Sequence, residues 1–571
     1  MIDYIKKHTM LLILILVAFV AYMITIFPSG SHYCTKGPCG LFFWGAHGHD
    51  AIWHLAIVST AFKSFPFIAP TFAGAQLSGY NFFLDIIIFL LTKVGIPSII
   101  TYFKILPIIW FILFTGLLVK FARKLHDSPL FVGLLLFFMY FSGSFSYIIT
   151  LIKNRTIWGS GELLAMQSLL SLTNVQFAFS LCVLLGILII IKEKRTDVRS
   201  STLLALLVGL NIALKFYGGV ISIFLVSLYF LFLLLQKRDI VLFTKQLSLL
   251  SIFSIGAVLL FYNPFAPTTG GAIMTFKPFA TVHQIIEDPN LFYLKDMVNA
   301  RYFLEASPKF SPRLVWIEIQ TLFIFILLNF GTRIIGILYI GKHVFKRTLT
   351  TNYQLLTTTI IFAMFLNIFF IQKGQWWNTV QFSYHAFFLM NIFTALTLYE
   401  IMKKFKKAGI VIVAIVILMS LPSSLDILRT FAQFPAHSFV SDDELYALRF
   451  LKKQPAGVVF TPLPNESNKQ QATPVPLSAM ADNAYITAFS GKQLYIGDEV
   501  QLQLTGVDYE ARAKKSLDWN CDTILDVDYL YELYSRPIGN KLEKCKGNLK
   551  IIYENNEVRL YKANQARLLS H

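Results

Sequence analysis

The densest run of chemically versatile side chains is His47-Gly48-His49-Asp50, followed by Ala51-Ile52-Trp53-His54-Leu55-Ala56. A carboxylate heading an amphipathic stretch beside a membrane can take a proton from a hydroxyl, the work of a general base. Two other uses compete for the same residues. Asp50 can cap the helix that follows, or it can join His47, His49 and His54 around zinc or manganese. The spacing matches no known ligand pattern, so no cofactor is expected and a divalent metal is the alternative.

Cations form a second group. Lys153, Arg155, Lys215 (in Leu214-Lys215-Phe216-Tyr217-Gly218-Gly219), Arg301, Arg313 and Lys373 fall at the ends of apolar runs that point away from the cytoplasm. A basic ring there suits a lipid phosphate or pyrophosphate, with snorkelling or local ion pairs as the plainer use. Lys215 is the leading candidate, because a short Gly-Gly turn leaves it little room to reach water. Glu287 and Asp288, before Pro289, can bind sugar hydroxyls or simply form a solvated turn. Gln375-Trp376-Trp377-Asn378 with Gln381 and His385 puts aromatic faces and amides at a span end. That combination fits a sugar ring, although tryptophan belongs at membrane interfaces in any case.

These residues need a scaffold, and the composition says which kind. The 571 residues are 55% hydrophobic and 14% charged, with a mean hydropathy of +0.60. A soluble domain is about 25% charged, so a soluble, disordered or fibrous chain is excluded. Residues 1–425 hold 33 Lys and Arg against 14 Asp and Glu, and residues 426–571 hold 17 against 18. The basic excess therefore belongs to the membrane half, where positive loops face the cytoplasm, and no nucleic-acid partner is implied.

Five basic clusters set the topology: Lys120/Arg123/Lys124, Lys192/Lys194/Arg195/Arg199, Lys237/Arg238, Lys342/Lys346/Arg347 and Lys403/Lys404/Lys406/Lys407. Placing all five inside gives about eleven spans: 10–27, 102–121, 129–149, 177–192, 201–216, 219–235, 244–262, 316–341, 355–371, 379–401 and 408–425. Segment 82–97 is apolar but short, carries Asp85 and ends in Gly95-Ile96-Pro97. Counting it as a crossing would invert every later loop, so it reads as an interfacial or re-entrant helix. The expected organisation is a transmembrane domain, 1–425, with long outer loops 28–101 and 263–315, then a soluble extracytoplasmic α/β domain, 426–571.

Cysteine usage supports this orientation. Cys34 and Cys39 fall in the first outer loop, and Cys521 and Cys545 in the tail, both in regions placed where disulfides persist. Cys182 sits alone inside a span. In the tail, Ser441-Asp442-Asp443-Glu444 reads as a capping box opening a helix through Lys453. Strands are expected over Gly457–Thr461 and Cys521–Val527, and a hairpin over Ile551–Tyr561 turning on Asn555-Asn556.

Several of these segments resemble the GT-C superfamily of membrane glycosyltransferases that use polyprenyl-phosphate sugars, which includes protein mannosyltransferases and aminoarabinose transferases. The local matches are Gly48-His49-Asp50-Ala51-Ile52-Trp53-His54, Pro66-Phe67-Ile68-Ala69-Pro70, Phe72-Ala73-Gly74 and Gly79-Tyr80-Asn81. In the tail, Ala484–Lys492 and Tyr553–Val558 are similar to tails of uncharacterised bacterial members. The resemblance implies transfer of a sugar from a polyprenyl-phosphate donor to a glycan, lipid or protein acceptor, with inversion, on the outer face of the plasma membrane. It assigns the base to Asp50. Many members carry two adjacent acids there; His49-Asp50 in their place points away from a metal-dependent oligosaccharyltransferase and toward metal-independent transfer, with His49 as a partner orienting Asp50. Donor phosphate is expected on Lys215, Arg155, Arg313 and Lys373, and sugar or acceptor on Glu287, Asp288, Trp376, Trp377 and Gln381. The alternatives are a lipid-linked glycan transporter or flippase, and a non-catalytic envelope assembly protein.

Overall fold

The computed structural model describes residues 2–34, 37–159, 167–193, 197–265, 274–372, 375–463, 473–480, 483–521, 527–536, 545 and 547–563. The chain divides into two compact units: Met1–Thr25, Ile108–Ala257 and Ala272–Ala432 form the first, and Ile26–Pro107, Val258–Gly271 and Gln433–His571 the second.

The first unit is helical. Among the described residues, eight helices of the chain are long and apolar enough to cross a bilayer, or nine if Pro129–Phe141 and Ser146–Asn154, bent by 55°, form one span. The expected segment 201–216 lies in the shorter apolar helix Val198–Leu214. The segments 379–401 and 408–425 lie in one helical stretch, Trp376–Ala432, broken at Lys406 with φ 49°. Helix starts follow ordinary capping chemistry: the Asn174 side chain accepts from the Phe177 amide at 2.9 Å, and Pro129 and Pro312 occupy first-turn positions where no amide is needed. A short antiparallel pair, β3 (Met274–Phe276) with β4 (Phe370–Gln372), joins two of its connections.

The second unit is built on two sheets. In the first, β1 (Ser31–Cys34) and β2 (Cys39–Phe43) form a hairpin closed by the Cys34–Cys39 disulfide, and β2 pairs antiparallel with β5 (Ser438–Ser441), which pairs parallel with β7 (Val475–Pro476). Loop 28–101 and the tail thus share a sheet. They also share a core, in which Ala69 and Phe72 pack with Phe460, Trp519, Leu530 and Tyr561. The second sheet has the order β10-β11-β9-β6-β8, from β10 (Leu549–Glu554), β11 (Val558–Ala563), β9 (Tyr529–Leu533), β6 (Val458–Phe460) and β8 (Gln493–Leu494).

The expected tail elements occur with two corrections. Ser441 caps the Asp442–Lys453 helix, accepting from the Glu444 amide at 3.1 Å. The Glu444 side chain does not complete a capping box: it turns inward, where the hydroxyls of Tyr485, Tyr531 and Ser478 donate to it. Of the strand expected at Cys521–Val527, 522–526 lie outside the described residues and neither end is in a strand; the described strand here is Tyr529–Leu533, where five buried residues register against β11. The hairpin turns on Asn555 as expected, its side-chain oxygen accepting from the amides of Glu557 and Val558. Cys521 and Cys545 form the second disulfide, and Cys182 is buried and free. The segment around Asp85 is an 11-residue helix, Phe83–Lys93, about half the length that crosses a bilayer.

Candidate functional site

The loop leading to Asp50 is held from several sides, all within the second unit. The Gly45 amide donates to His437 Nδ1 at 3.0 Å, and Asn483 Nδ2 donates to the Gly48 carbonyl at 2.7 Å. A Cβ on Gly48 would fall 2.1 Å from Ser438 Oγ, so glycine lets these segments approach without displacing that hydroxyl. His47 is buried and shares a hydrogen bond with the Ser29 hydroxyl at 2.8 Å.

The helix then runs Asp50–Thr60 with His49 at its cap position, so Asp50 is its first helical residue rather than its cap. A carboxylate there lies at the positive end of the helix dipole. His49 Nδ1 lies 2.8 Å from Asp50 Oδ1, with side chains 20% and 34% exposed. The pair is both ordered and reachable.

The three histidines each have a different hydrogen-bond partner. His47 faces Ser29, His49 faces Asp50, and His54 Nδ1 lies 2.8 Å from Asp85 Oδ2. Among the described residues no three His, Cys, Asp or Glu side chains come close enough to hold a metal ion.

Two neighbours, Asp85 and Tyr80, escaped the sequence reading as site residues, and His54 entered it only as a possible metal ligand. His54 and Asp85 form a pair with both side chains 0% exposed. The His54 ring packs on Tyr80 and Tyr102, with centroids 5.5 and 6.2 Å apart, and Tyr80 stands edge-on to Trp53 at 5.7 Å. Burial, and then the charges of Asp50 and Asp85, push the Tyr80 hydroxyl well above its usual range, with Tyr102 and Asp498 adding to the effect. Tyr80 therefore stays protonated, a donor among carboxylates. Asp498 is itself buried and caps the Glu499–Thr505 helix. The signal for Asp85 was present: a carboxylate inside an apolar run needs a buried partner.

The cations of the first unit are dispersed. Lys215 is buried at the break between Val198–Leu214 and Phe216–Lys237, its ammonium 6.0 Å from the Tyr217 ring centroid. The glycines after it are not a turn. They lie in the first helical turn, where a Cβ on Gly218 would meet Ser180 Oγ at 2.1 Å and one on Gly219 would meet Ile212 at 2.6 Å. Lys215 is buried just before this close helix packing. Arg155 and Arg313 are exposed, on the C-cap of Ser146–Asn154 and in the first turn of Pro312–Phe330. Lys373 lies outside the described residues.

Arg301 is engaged by acids, bonding Glu287 at 3.0 Å, Glu318 at 3.0 Å and Glu305 at 3.2 Å. Glu287 also accepts from the Tyr302 hydroxyl at 3.1 Å, so it works first in this network. Asp288 holds a turn, its carboxylate accepting from the Asn290 amide at 2.8 Å. Trp376 and Trp377 are exposed in a single 3-10 turn, with Trp377 Nε1 donating to Gln375 at 2.9 Å. Gln381 donates to Asn378 at 3.4 Å, and its carbonyl faces His385 Nδ1 at 3.0 Å.

Arg333 was not anticipated. Fully buried, it donates to the carbonyls of Ser142, Gly143 and Phe330 and to the side chains of Gln167 and Ser168. Those carbonyls lie where Pro129–Phe141 and Pro312–Phe330 end, so one guanidinium ties two helix breaks. A cavity beside it is lined by Gln167, Ser168, Ser171 and Tyr384. A lone arginine in an apolar run was its sequence signal.

No protein-family model matches the sequence, and no curated protein matches it. Solved structures do. The Archaeoglobus fulgidus oligosaccharyltransferase tethered to an acceptor peptide aligns with 93% of this chain and 70% of its own, at 11% identity and a TM-score of 0.51. The apo form of that enzyme aligns with 91% and 69%, at 13% identity and a TM-score of 0.50. ArnT from Cupriavidus metallidurans bound to undecaprenyl phosphate aligns with 98% and 99%, at 10% identity and a TM-score of 0.46. The likeness to the oligosaccharyltransferase runs along nearly the whole chain and is one of fold: a polytopic α-helical membrane protein with a C-terminal α/β domain.

Proposed function

We propose that this chain is a membrane glycosyltransferase that moves a sugar from a polyprenyl-phosphate donor to an acceptor hydroxyl on the extracytoplasmic face, with inversion. The fold shared with an oligosaccharyltransferase supports the class. One observation carries the assignment of the base: Asp50, one-third exposed at the head of a helix and bonded to His49.

Asp50 accepts the proton of the acceptor hydroxyl while its oxygen attacks the anomeric carbon. The carbon–oxygen bond to the polyprenyl phosphate breaks, and its electron pair leaves on the phosphate. A phosphate leaving group calls for charge stabilisation more than for acid catalysis, so one carboxylate suffices. His49 is the positioning residue that fixes the Asp50 carboxylate. Tyr80, protonated and near Asp50, is assigned to donate to a substrate oxygen. Lys215, Arg155, Arg313 and Lys373 remain the proposed donor-phosphate cations, and Trp376, Trp377 and Gln381 the proposed sugar contacts. The acceptor is a glycan, lipid or protein.

The test is purified protein with a panel of radiolabelled polyprenyl-phosphate sugars, wild type against Asp50→Asn. Release of polyprenyl phosphate that vanishes in the variant supports the reading. Equal turnover in both removes Asp50 from the mechanism. If no donor is bound or consumed, the transfer reading fails.

A further inference from the structure

A second feature of the unit holding Asp50 lies in four lysines that the proposed transfer does not use. Lys63 follows the Asp50–Thr60 helix, and its ammonium donates to the Gly491 carbonyl. The next residue, Lys492, is buried and donates through Nζ to the Gln454 carbonyl at 2.6 Å. Lys452 precedes Gln454 by two positions on an exposed helix end. Lys93 ends the Phe83–Lys93 helix, its ammonium 4.7 Å from the Phe89 ring centroid.

A chain of rings connects the two ends of this cluster: Phe65 on Phe67 at 5.6 Å, Phe67 on Phe62 at 5.1 Å, and Phe62 on Phe89 at 5.4 Å. Lys93 thus stands on an aromatic strip that runs back to Phe62, the residue before Lys63. The lysines sense one another. Burial lowers the Lys63 pKa, and the charges of Lys492, Lys452 and Lys93 lower it further. Like charges gathered this way are destabilising unless an anion joins them.

Apolar side chains flank the cluster and face outward. Phe65 is 83% exposed, Val94 73% and Leu90 58%. The helix carrying Leu90 and Lys93 buries Leu84, Asp85 and Ile88 on its other side, and it is too short to cross a bilayer. A short amphipathic helix ending in Lys93, with exposed apolar side chains and further lysines from neighbouring segments beside it, suits a membrane interface, where stems and rings enter the acyl boundary and ammonium groups meet phosphates.

We propose that Lys63, Lys93, Lys452 and Lys492 form a docking site for the phosphate of an anionic phospholipid headgroup, with Phe65, Leu90 and Val94 against its acyl chains. The site goes beyond the glycosyltransferase reading and does not rest on it. Its occupant is a resident lipid of the bordering leaflet, which would hold the Phe83–Lys93 helix, and with it Asp85, at the membrane surface.

The test uses full-length protein in detergent, titrated with phosphatidylglycerol or phosphatidylcholine and followed by native mass spectrometry. Wild type should bind phosphatidylglycerol more tightly than phosphatidylcholine. Replacing two cations together, Lys63→Gln with Lys93→Gln, should weaken phosphatidylglycerol binding about 30-fold, at roughly fivefold for each lysine. Lys63→Arg with Lys93→Arg should restore it, which separates lost charge from lost folding. Equal binding of the two lipids by wild type, or unchanged binding by the Gln pair, overturns the proposal. So does displacement of the lipid by millimolar inorganic phosphate, which would mark a free-anion site. A Gln pair that loses polyprenyl phosphate but keeps phosphatidylglycerol would assign the cluster to the donor instead. None of these readouts depends on turnover.

Discussion

The second unit contains two histidine–aspartate pairs of the same length and opposite fate. His49 and Asp50 meet at 2.8 Å with side chains 20% and 34% exposed, while His54 and Asp85 meet at 2.8 Å with both at 0%. They are close in sequence: His54 lies one helical turn beyond Asp50. One pair opens on its surroundings and the other is sealed under Tyr80 and Tyr102. The chemistry of the groups is identical, so access alone separates a candidate base from a structural tie. A sealed carboxylate cannot meet an acceptor, and an open one contributes little to stability. Tyr80 feels both acids, whose charges add to burial in holding its hydroxyl protonated.

Breaking each pair in turn should give opposite phenotypes. Asp50→Asn keeps shape and hydrogen-bonding capacity but removes the proton acceptor, so transfer should fall by about 10²–10⁴-fold. Its thermal unfolding should move little, as expected of a part-exposed side chain. Asp85→Ala leaves the His54 ring buried without its carboxylate, which should cost about 3–5 kcal/mol of stability. That loss should appear as a lower unfolding temperature, with activity tracking the folded fraction. If Asp85→Ala were stable but inactive, or Asp50→Asn unstable, the division of roles would be reversed. His49→Ala should be intermediate, slowing transfer by about 10- to 100-fold through loss of one charge-assisted hydrogen bond. A mutant unfolding at the wild-type temperature would identify that loss as positional.

What the sequence disclosed follows the range of the forces involved. The Ser441 cap, the Asn555 turn and both disulfides depend on neighbours in the chain or on the redox compartment, and they were legible. The apolar runs were legible because bilayer thickness sets their length. The pairing of β2 with β5 was not, since nothing within Cys39–Phe43 specifies a partner nearly 400 residues away. The same holds for Arg333, whose partners come from two helix breaks and the segment at Gln167. Gly218 and Gly219 misled in a different way. Glycine signals either a turn or a close approach, and here helix packing against Ser180 and Ile212 uses the second property. Of the candidate site, the His49–Asp50 contact was visible as adjacent residues, whereas its buried counterpart required the Phe83–Lys93 helix to fold back on the first.

A third acid sharpens the comparison at its mildest end. Glu444 is buried like Asp85, yet its hydrogen bonds come from hydroxyls: Tyr485 at 2.7 Å, Tyr531 at 3.2 Å and Ser478 at 3.2 Å. Arg536 is near enough to act on it electrostatically. Burial nevertheless dominates and raises its pKa, with Glu557 adding to the rise and the hydroxyls opposing it. A carboxyl raised in this way binds its proton more tightly folded than unfolded. The resulting stability is fully present below the unfolded pKa and is lost as pH rises through the folded value. Glu444→Gln keeps the volume and one acceptor oxygen but cannot ionise, so it should remove that loss. Thermal unfolding of the full chain, wild type against Glu444→Gln, should show the variant gaining relative to wild type from acid to neutral pH. A gap that stayed constant across that range would mean the hydroxyls and Arg536 together hold Glu444 ionised as readily as water does.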